Sequence, residues 1–490
     1  MEFFMEYLPL FMFAVMAVLL FTGFPVAFVL GGVGIAAAII GILGGELIPI
    51  QLYTITTRIW ASAAENLVLT TIPLFVFMGI MLERSGVAKD MLNSLQTVLG
   101  RVPGGLALSV TLLGIILAAA TGIVGASVVM MSMLALPVML NQKYSVRLAT
   151  GTIASSGTLG ILIPPSIMLV VISDLLSRSV GVMFMAAFMP GIMLGGLYIV
   201  YIFAACFLNP SLAPKPPRSA EKVSWIHLIV ILFVGLVPAF LLIFLVLGSI
   251  IFGWATPTES AGVGAAGAVV LAFLVRPLIY ATLAATPYAI AGAIATTTPG
   301  SWFKRFAAET HGWWPSLKEV LYQSMLTTGM IFMIIICATV FALSFRLLGG
   351  EHLVTDYIKG LGLSPWHLLF IVMGLVFLLG FFFDWIEITL IVLPVFAPIL
   401  LALDFGDHVA KADVAYWFAI LLAINLQTSF LTPPMGPSLF YMKAVSPPSV
   451  RMQDIYWGII PFVILQLIGL SLVMAFPQIA LWLPHTLIDK

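Results

Sequence analysis

Charge is what this sequence has least of. Asp, Glu, Lys and Arg make up 8% of the 490 residues, while 62% are hydrophobic; a soluble domain carries roughly 25% charged residues. A soluble fold of this length could not cover its exterior with so few polar side chains, so lipid must solvate most of the surface. Basic excess is also missing. Twenty Lys and Arg balance 20 Asp and Glu, which excludes the positive footprint of a nucleic-acid binder. There are two cysteines, Cys206 and Cys337, far apart and inside apolar runs. Those surroundings favour buried thiols packing as small hydrophobes over a disulfide. No hydrophilic stretch approaches the ~50 residues of a minimal soluble domain, so the chain reads as one membrane-embedded unit. The first residues lack a basic leader region, and the apolar run from Glu6 continues to about residue 43 without a convincing small-residue cleavage site. That reads as retained membrane structure.

Enzyme signatures are equally scarce. None of the six histidines stands in an HExxH pair, and there is no GxGD aspartyl pair and no GxxxxGK[ST] loop. ATP-driven transport by this chain alone is thereby disfavoured. The string ASSG at 154–157 faintly resembles an intramembrane serine-protease loop, but lacks the leading Gly and a membrane His partner. An intramembrane hydrolase would lose peptide cleavage, and keep normal transport, on Ser156→Ala. A transport-free scaffold would need none of the polar breaks described next.

Two Pro-Pro pairs stand out. The first half contains GTLGILIPPS (Gly157–Ser166) and the second LQTSFLTPPMGPS (Leu426–Ser438). Upstream, Gly23–Gly34 and Trp254–Gly267 match in a Pro followed by small residues, in the same order. Between the halves lies a Pro-rich basic stretch with Lys215, Arg218 and Lys222. The expected organisation is therefore two repeats, 1–207 and 226–490, joined by a cytoplasmic linker at 208–225. Basic residues test the topology. Arg84, Lys89 and Arg101 precede Gly104–Leu140, and Lys143 and Arg147 follow it. Both flanks then face the cytoplasm, making 104–140 a re-entrant hairpin with its tip near Thr121–Ser127. A crossing segment through the first Pro-Pro pair follows at 149–177. The counterpart hairpin, 366–401, has acidic or mixed flanks, as expected for the opposite face, and its broken segment spans 414–446. An all-α polytopic protein with inverted repeats follows. The Ala/Thr-rich segment 281–312 has no counterpart in the first half and receives no role.

Tandem proline removes two backbone donors and disrupts the preceding turn. Each break should expose carbonyls on one half-helix and amides on the next; the former suit Na⁺, the latter anionic groups. Small polar residues gather there: Ser155, Ser156 and Thr158, then Asn425, Gln427, Thr428, Ser429 and Thr432. The hairpin tips add Thr121, Gly125, Ser127, Asp384, Glu387 and Thr389. Acidic residues inside an apolar hairpin are expensive and point to function; at i and i+3, Asp384 and Glu387 share a face if helical. A membrane Ser or Thr more often bonds its own backbone, Gly31–Gly34 and Gly262–Gly267 suit close helix packing, and Pro-Pro can simply kink a helix. Recurrence of a polar break beside a hairpin tip in both halves favours the functional reading.

The ordered motifs TGIVGAS, ASSGTLGILIPPS, SRSVGVMFMAAFMPGIML (Ser177–Leu194), FFFDWIEITLIVLPVFAPIL and NLQTSFLTPPMGPSLF resemble the large, DctM-like membrane subunit of tripartite ATP-independent periplasmic (TRAP) transporters across nearly the whole chain. The resemblance implies an elevator-type fold, a scaffold carrying a mobile domain of two hairpins and two broken helices. It implies Na⁺ coupling, with a first site involving Gly125, Ala126, Ser127, Ser156, Gly157, Thr158 and Pro164. A second would involve Asp384, Gln427, Thr428, Thr432 and Gly436. The substrate path would include Thr121, Ser155, Ser166, Glu387, Ser429 and Pro433. The implied partners are a small four-helix membrane subunit and a periplasmic solute-binding protein delivering a small organic anion, at a bacterial or archaeal inner membrane. A stand-alone ion-coupled dicarboxylate transporter or exchanger of related architecture is the alternative. Two features depart from the pattern: the length of 281–312, and the acidic pair with Trp385.

Overall fold

The computed structural model describes residues 5–121, 124–214, 225–278, 313–360, 362–434 and 436–488. Segment 281–312, and the charged part of the linker at 215–224, lie outside them. The described residues form helices and turns with no strand, and nine of the helices are long and apolar enough to cross a membrane. Lipid offers the backbone no hydrogen-bond partner, so the chain satisfies its polar groups within each helix.

The N-terminal part comprises α1 (Leu8–Phe21), α2 (Val26–Leu43), α3 (Tyr53–Ile59), α4 (Thr71–Arg84) and α5 (Val87–Leu99). Two antiparallel arms, α6 (Gly105–Thr121) and α7 (Val124–Asn141), follow, then α8 (Val146–Thr158), α9 (Ile167–Leu175) and α10 (Val180–Leu208). After the linker come α11 (Trp225–Ile251) and α12 (Pro257–Val270), then α13 (Trp313–Leu347) and α14 (Gly350–Gly360). A second pair of arms, α15 (Pro365–Leu379) and α16 (Trp385–Ala402), leads into α17 (Val414–Leu431), α18 (Pro437–Val445), α19 (Met452–Ala475) and α20 (Gln478–Ile488). The helix entering the first break starts at Val146 rather than Ala149, because Ser145 is still extended (ψ 130°). The linker's first residues also differ. Helix α10 runs through Leu208, and the following turn is pinned by Ser145 N–H donating to the Leu212 carbonyl at 2.8 Å.

Helices α8 and α17 occupy the centre. Every residue from Leu148 to Thr158 is buried, as is 94% of α17, including Asn425, Gln427, Thr428 and Ser429. They are wrapped by α6, α7, α10, α15, α18 and α19, while α1, α2, α4, α5 and α11–α13 form a flanking layer. Both cysteines are free and buried, Cys337 lying against Gly31. Glycine at 31 and 34 lets α2 approach α13: a Cβ on Gly34 would stand 2.9 Å from Phe341 Cα. Gly264 and Gly267 likewise pack against Met78 and Leu242, whereas Gly262 faces open space.

One close backbone approach joins the halves. A Cβ on Gly151 of α8 would collide with the Gly458 carbonyl of α19, and one on Gly458 with the Arg147 carbonyl. Without a hydrophobic force between helices in lipid, such backbone contact supplies the packing energy. Gly458→Ala is therefore expected to destabilise the protein by about 1–3 kcal/mol, the usual cost of overpacking. Thermal unfolding in detergent measures this, with Gly374→Ala as control, since a Cβ there meets nothing within 4 Å.

Candidate functional site

Both Pro-Pro pairs interrupt their helices as the missing donors require. Helix α8 ends at Thr158 and passes through a tight turn, Leu159–Ile161, before α9 begins at Ile167. Helix α17 ends at Leu431 and α18 restarts at Pro437, whose fixed φ suits a first helical position. The Pro164–Pro165 and Pro433–Pro434 bonds are both cis.

At the first break, small residues let three segments converge. A Cβ on Gly157 would meet the Val128 side chain and stand 3.2 and 3.3 Å from its Cα and N. The chain end of α8 thus rests on the start of α7, one residue from Ser127. Gly114 of α6 is seated on Ser156, whose carbonyl oxygen lies 3.0 Å from the glycine's missing Cβ. Ser156 Oγ donates to Thr111 Oγ1 at 3.4 Å. Ser155 Oγ donates to the Gly151 carbonyl (2.8 Å), Thr158 Oγ1 to Ser155 (2.9 Å), and Ser166 Oγ reaches back across the break to Ile161 (2.6 Å). Back-bonding is the ordinary behaviour of membrane hydroxyls, but it has a consequence. A hydroxyl whose hydrogen is committed to a carbonyl has only lone pairs left, so these oxygens can only accept from a further partner. Ser127 is buried beside Val128, and the Thr121 side chain lies outside the described residues.

The second break is built from the same materials in a different geometry. Gly380, ending α15, is seated on Ser429 of α17, and Asn425 Nδ2 donates to the Met373 carbonyl of α15 at 2.7 Å. Thr428, Ser429 and Thr432 donate to the Ile424, Leu426 and Thr428 carbonyls, each at 2.8 Å. At Gly436 the missing Cβ would stand 2.7 Å from the Phe430 oxygen and 3.0 Å from that of Thr432. Two carbonyls therefore crowd a position only glycine fits.

Asp384 and Glu387 are not simply two residues on one helical face. Asp384 is the N-cap of α16, accepting the Trp385 N–H at 2.7 Å, and Glu387 accepts the Asp384 N–H at 3.1 Å. This reciprocal cap satisfies orphan amides at a half-buried helix start, which gives the costly acids a structural reason. Gln427 turns away from Thr428. Its Nε2 donates to the fully buried Tyr198 hydroxyl of α10 at 3.4 Å, an oxygen shared with Gln466 of α19 (2.7 Å). The Oε1 atoms of both glutamines lack a partner among the described residues.

Tyr198, Gln466, Ser438 and Tyr441 escaped sequence reasoning. Tyr441 of α18 presses its ring edge to within 3.1 Å of where a Gly125 Cβ would be, and lies within electrostatic reach of Asp384 and Glu387. It therefore packs on the first hairpin tip and faces the charge of the second. Ser438, in the first turn of α18, is buried with its hydroxyl unpartnered among the described residues. The i, i+3 spacing of Ser438 and Tyr441 behind the second Pro-Pro pair was the available signal.

Comparison with known proteins gives a consistent picture. The family described as tripartite ATP-independent periplasmic transporter, DctM component, matches residues 13–479. The C4-dicarboxylate TRAP transporter large permease protein DctM of Pseudomonas aeruginosa is 29% identical over 436 residues, covering 86% of this chain and 88% of that protein. The Rhodobacter capsulatus protein of the same description is 27% identical, over 98% and 99% of the two chains. The sialic acid TRAP transporter large permease protein SiaM of Vibrio cholerae is 25% identical, over 95% and 96%. Among solved structures, the Alcanivorax borkumensis YdaH transporter, described as having an unusual topology, shares the fold. Its TM-score is 0.56 at 13% identity, over 88% of each chain.

Proposed function

This chain belongs to the DctM component family of tripartite ATP-independent periplasmic transporters, and from that membership we propose Na⁺-coupled uptake of a small organic anion across a bacterial inner membrane. It is a multi-pass large permease subunit, and its relatives are permeases, not enzymes. The observation that carries the coupling reading is the donor chemistry at the two breaks. Hydroxyl oxygens with committed hydrogens, crowded carbonyls and one capping carboxylate favour a hard cation such as Na⁺ over any softer ion. Such acceptor sets repel a carboxylate, so the anion belongs at the donor end. The start of α18, with Ser438, Tyr441 and the positive end of a half-helix, supplies it.

In this reading the tip of the first pair of arms with α8 forms one ion site, and the tip of the second pair with α17 the other. Each Na⁺ neutralises its acceptors and lets the tips close around the anion. The arms and broken helices move together against the flanking layer, as an elevator, in two inverted halves. A small four-helix membrane subunit and a periplasmic solute-binding protein complete the machine, and a carboxylate is the substrate class the relatives' descriptions favour.

The test is reconstitution of the permease with its small subunit in vesicles, with binding protein and radiolabelled C4-dicarboxylate outside. Uptake is expected under an inward Na⁺ gradient and to fall to background when K⁺ replaces Na⁺. Equal uptake in both salts would refute Na⁺ coupling. Undiminished uptake without the binding protein would instead support a stand-alone carrier.

A further inference from the structure

A cavity of about 520 Å³ lies away from both breaks, between α13 with the turn after α3 on one side and α9 with α16 on the other. Its wall is mainly apolar, formed along α16 by residues such as Leu393, Ala397 and Leu401. Its charged residues are Arg58, Arg346 and Asp174, an excess of one positive charge. Asp174 already accepts from Asn66 Nδ2 at 2.6 Å. Arg346 pairs with Glu351 at 3.1 Å and remains half exposed. Arg58 is exposed and has no hydrogen-bond or ion-pair partner among the described residues.

The depth of Arg58 is marked by its neighbours. Tyr53 and Trp60, on either side of Arg58, are 75% and 61% exposed, and exposed Tyr and Trp on a membrane protein sit at the headgroup level. One end of this cavity therefore offers the Arg58 guanidinium at headgroup depth, with Arg346 on the same wall, and the rest offers hydrocarbon. A small hydrophilic anion would leave that apolar wall uncovered. We propose that the cavity binds a bilayer phospholipid, its phosphate held by Arg58 and Arg346 and the upper part of an acyl chain laid along α16. Arginine suits this role because its fork pairs bidentately with phosphate oxygens, and the volume falls within the roughly 300–1,000 Å³ usual for ligand sites. A lipid in this position fills the space between α13 and α16 without covalently joining them. None of its lining residues belongs to the proposed ion sites.

The test uses the full chain, delipidated in mild detergent and re-equilibrated with dioleoylphosphatidylglycerol or with dioleoylglycerol, which has the same tails and no phosphate. Lipid retained after gel filtration is quantified by mass spectrometry. The wild type is expected to retain the phospholipid about tenfold over the diacylglycerol, the worth of one charge-assisted pair. Arg58→Gln, a change at an exposed side chain, should abolish that preference, and Leu393→Trp should reduce retention of both lipids by filling the wall. Equal retention of the two lipids by the wild type, or an unchanged preference in Arg58→Gln, overturns the proposal. So does release of the phospholipid by millimolar succinate or inorganic phosphate, which would make the cavity a soluble-anion site.

Discussion

Asp384→Asn is expected to leave the permease folded yet raise the Na⁺ concentration for half-maximal uptake by roughly 10–100-fold, the equivalent of about 1.5–3 kcal/mol for a charged interaction. The two roles of this carboxylate separate in that variant. Asparagine caps a helix about as well as aspartate, so the Trp385 N–H keeps its acceptor and α16 keeps its start. Only the charge is lost. Asp384→Ala removes both, and should add the cost of an uncapped helix, about 0.5–2 kcal/mol, visible as a lower thermal midpoint. If the asparagine variant shows a wild-type Na⁺ response, Asp384 is a helix cap and the second ion site as proposed is wrong. Thr432→Ala, which removes an oxygen whose hydrogen is already committed to Thr428, should shift Na⁺ dependence in the same direction by a smaller factor.

The second large effect is expected from Gly157→Ala. A methyl group there meets the Val128 side chain and crowds its backbone, in an interior with no free volume to absorb it. The start of α7 must then retreat from the end of α8, and the acceptors on Ser127, Ser156 and Thr158 lose their common geometry. Uptake should fall below about a tenth of wild type, the equivalent of 1–3 kcal/mol of overpacking felt at the ion site, with membrane insertion unchanged. Adding Val128→Ala removes the nearest obstructing carbon and should restore part of the activity. A double variant no more active than Gly157→Ala would show that the loss does not come from this contact. Normal uptake by Gly157→Ala itself would remove the first break from the ion pathway.

Membrane residence was legible in composition alone, because 8% charge cannot clothe a soluble surface of this size. The two breaks were legible for a similarly direct reason. Proline lacks a donor wherever it stands, and a tandem pair in an apolar run interrupts a helix regardless of its neighbours. Glycine motifs such as Gly31–Gly34 were readable as helix contacts because only glycine allows backbones to touch. The polar residues were less transparent. Asp384 and Glu387 looked like two acids on one face, but the helix begins at Asp384, and the spacing that suggested a shared face is also that of a reciprocal cap. Gln427 and Thr428 are adjacent in sequence, yet consecutive helical side chains point about 100° apart. One reaches α10 while its neighbour bonds back to its own helix.

By itself, then, the sequence determined what each segment is: an apolar helix, a polar break, a basic connection, and membership in a transporter family whose motifs recur in order. Those properties are local, set by donors, volume and charge along a few residues. The pairing of each hairpin tip with its break was also readable there, and only the tertiary structure decided which atoms meet. That Gly157 rests on Val128, that Gly380 rests on Ser429, and that Tyr441 joins the neighbourhood of Gly125 to that of Asp384 all depend on contacts between distant helices. In lipid, such contacts are selected by shape and by the pairing of a few buried polar groups, which hydrophobic patterning does not encode. The two Pro-Pro breaks could be found in the chain; the oxygens that surround them could be assembled only in the fold.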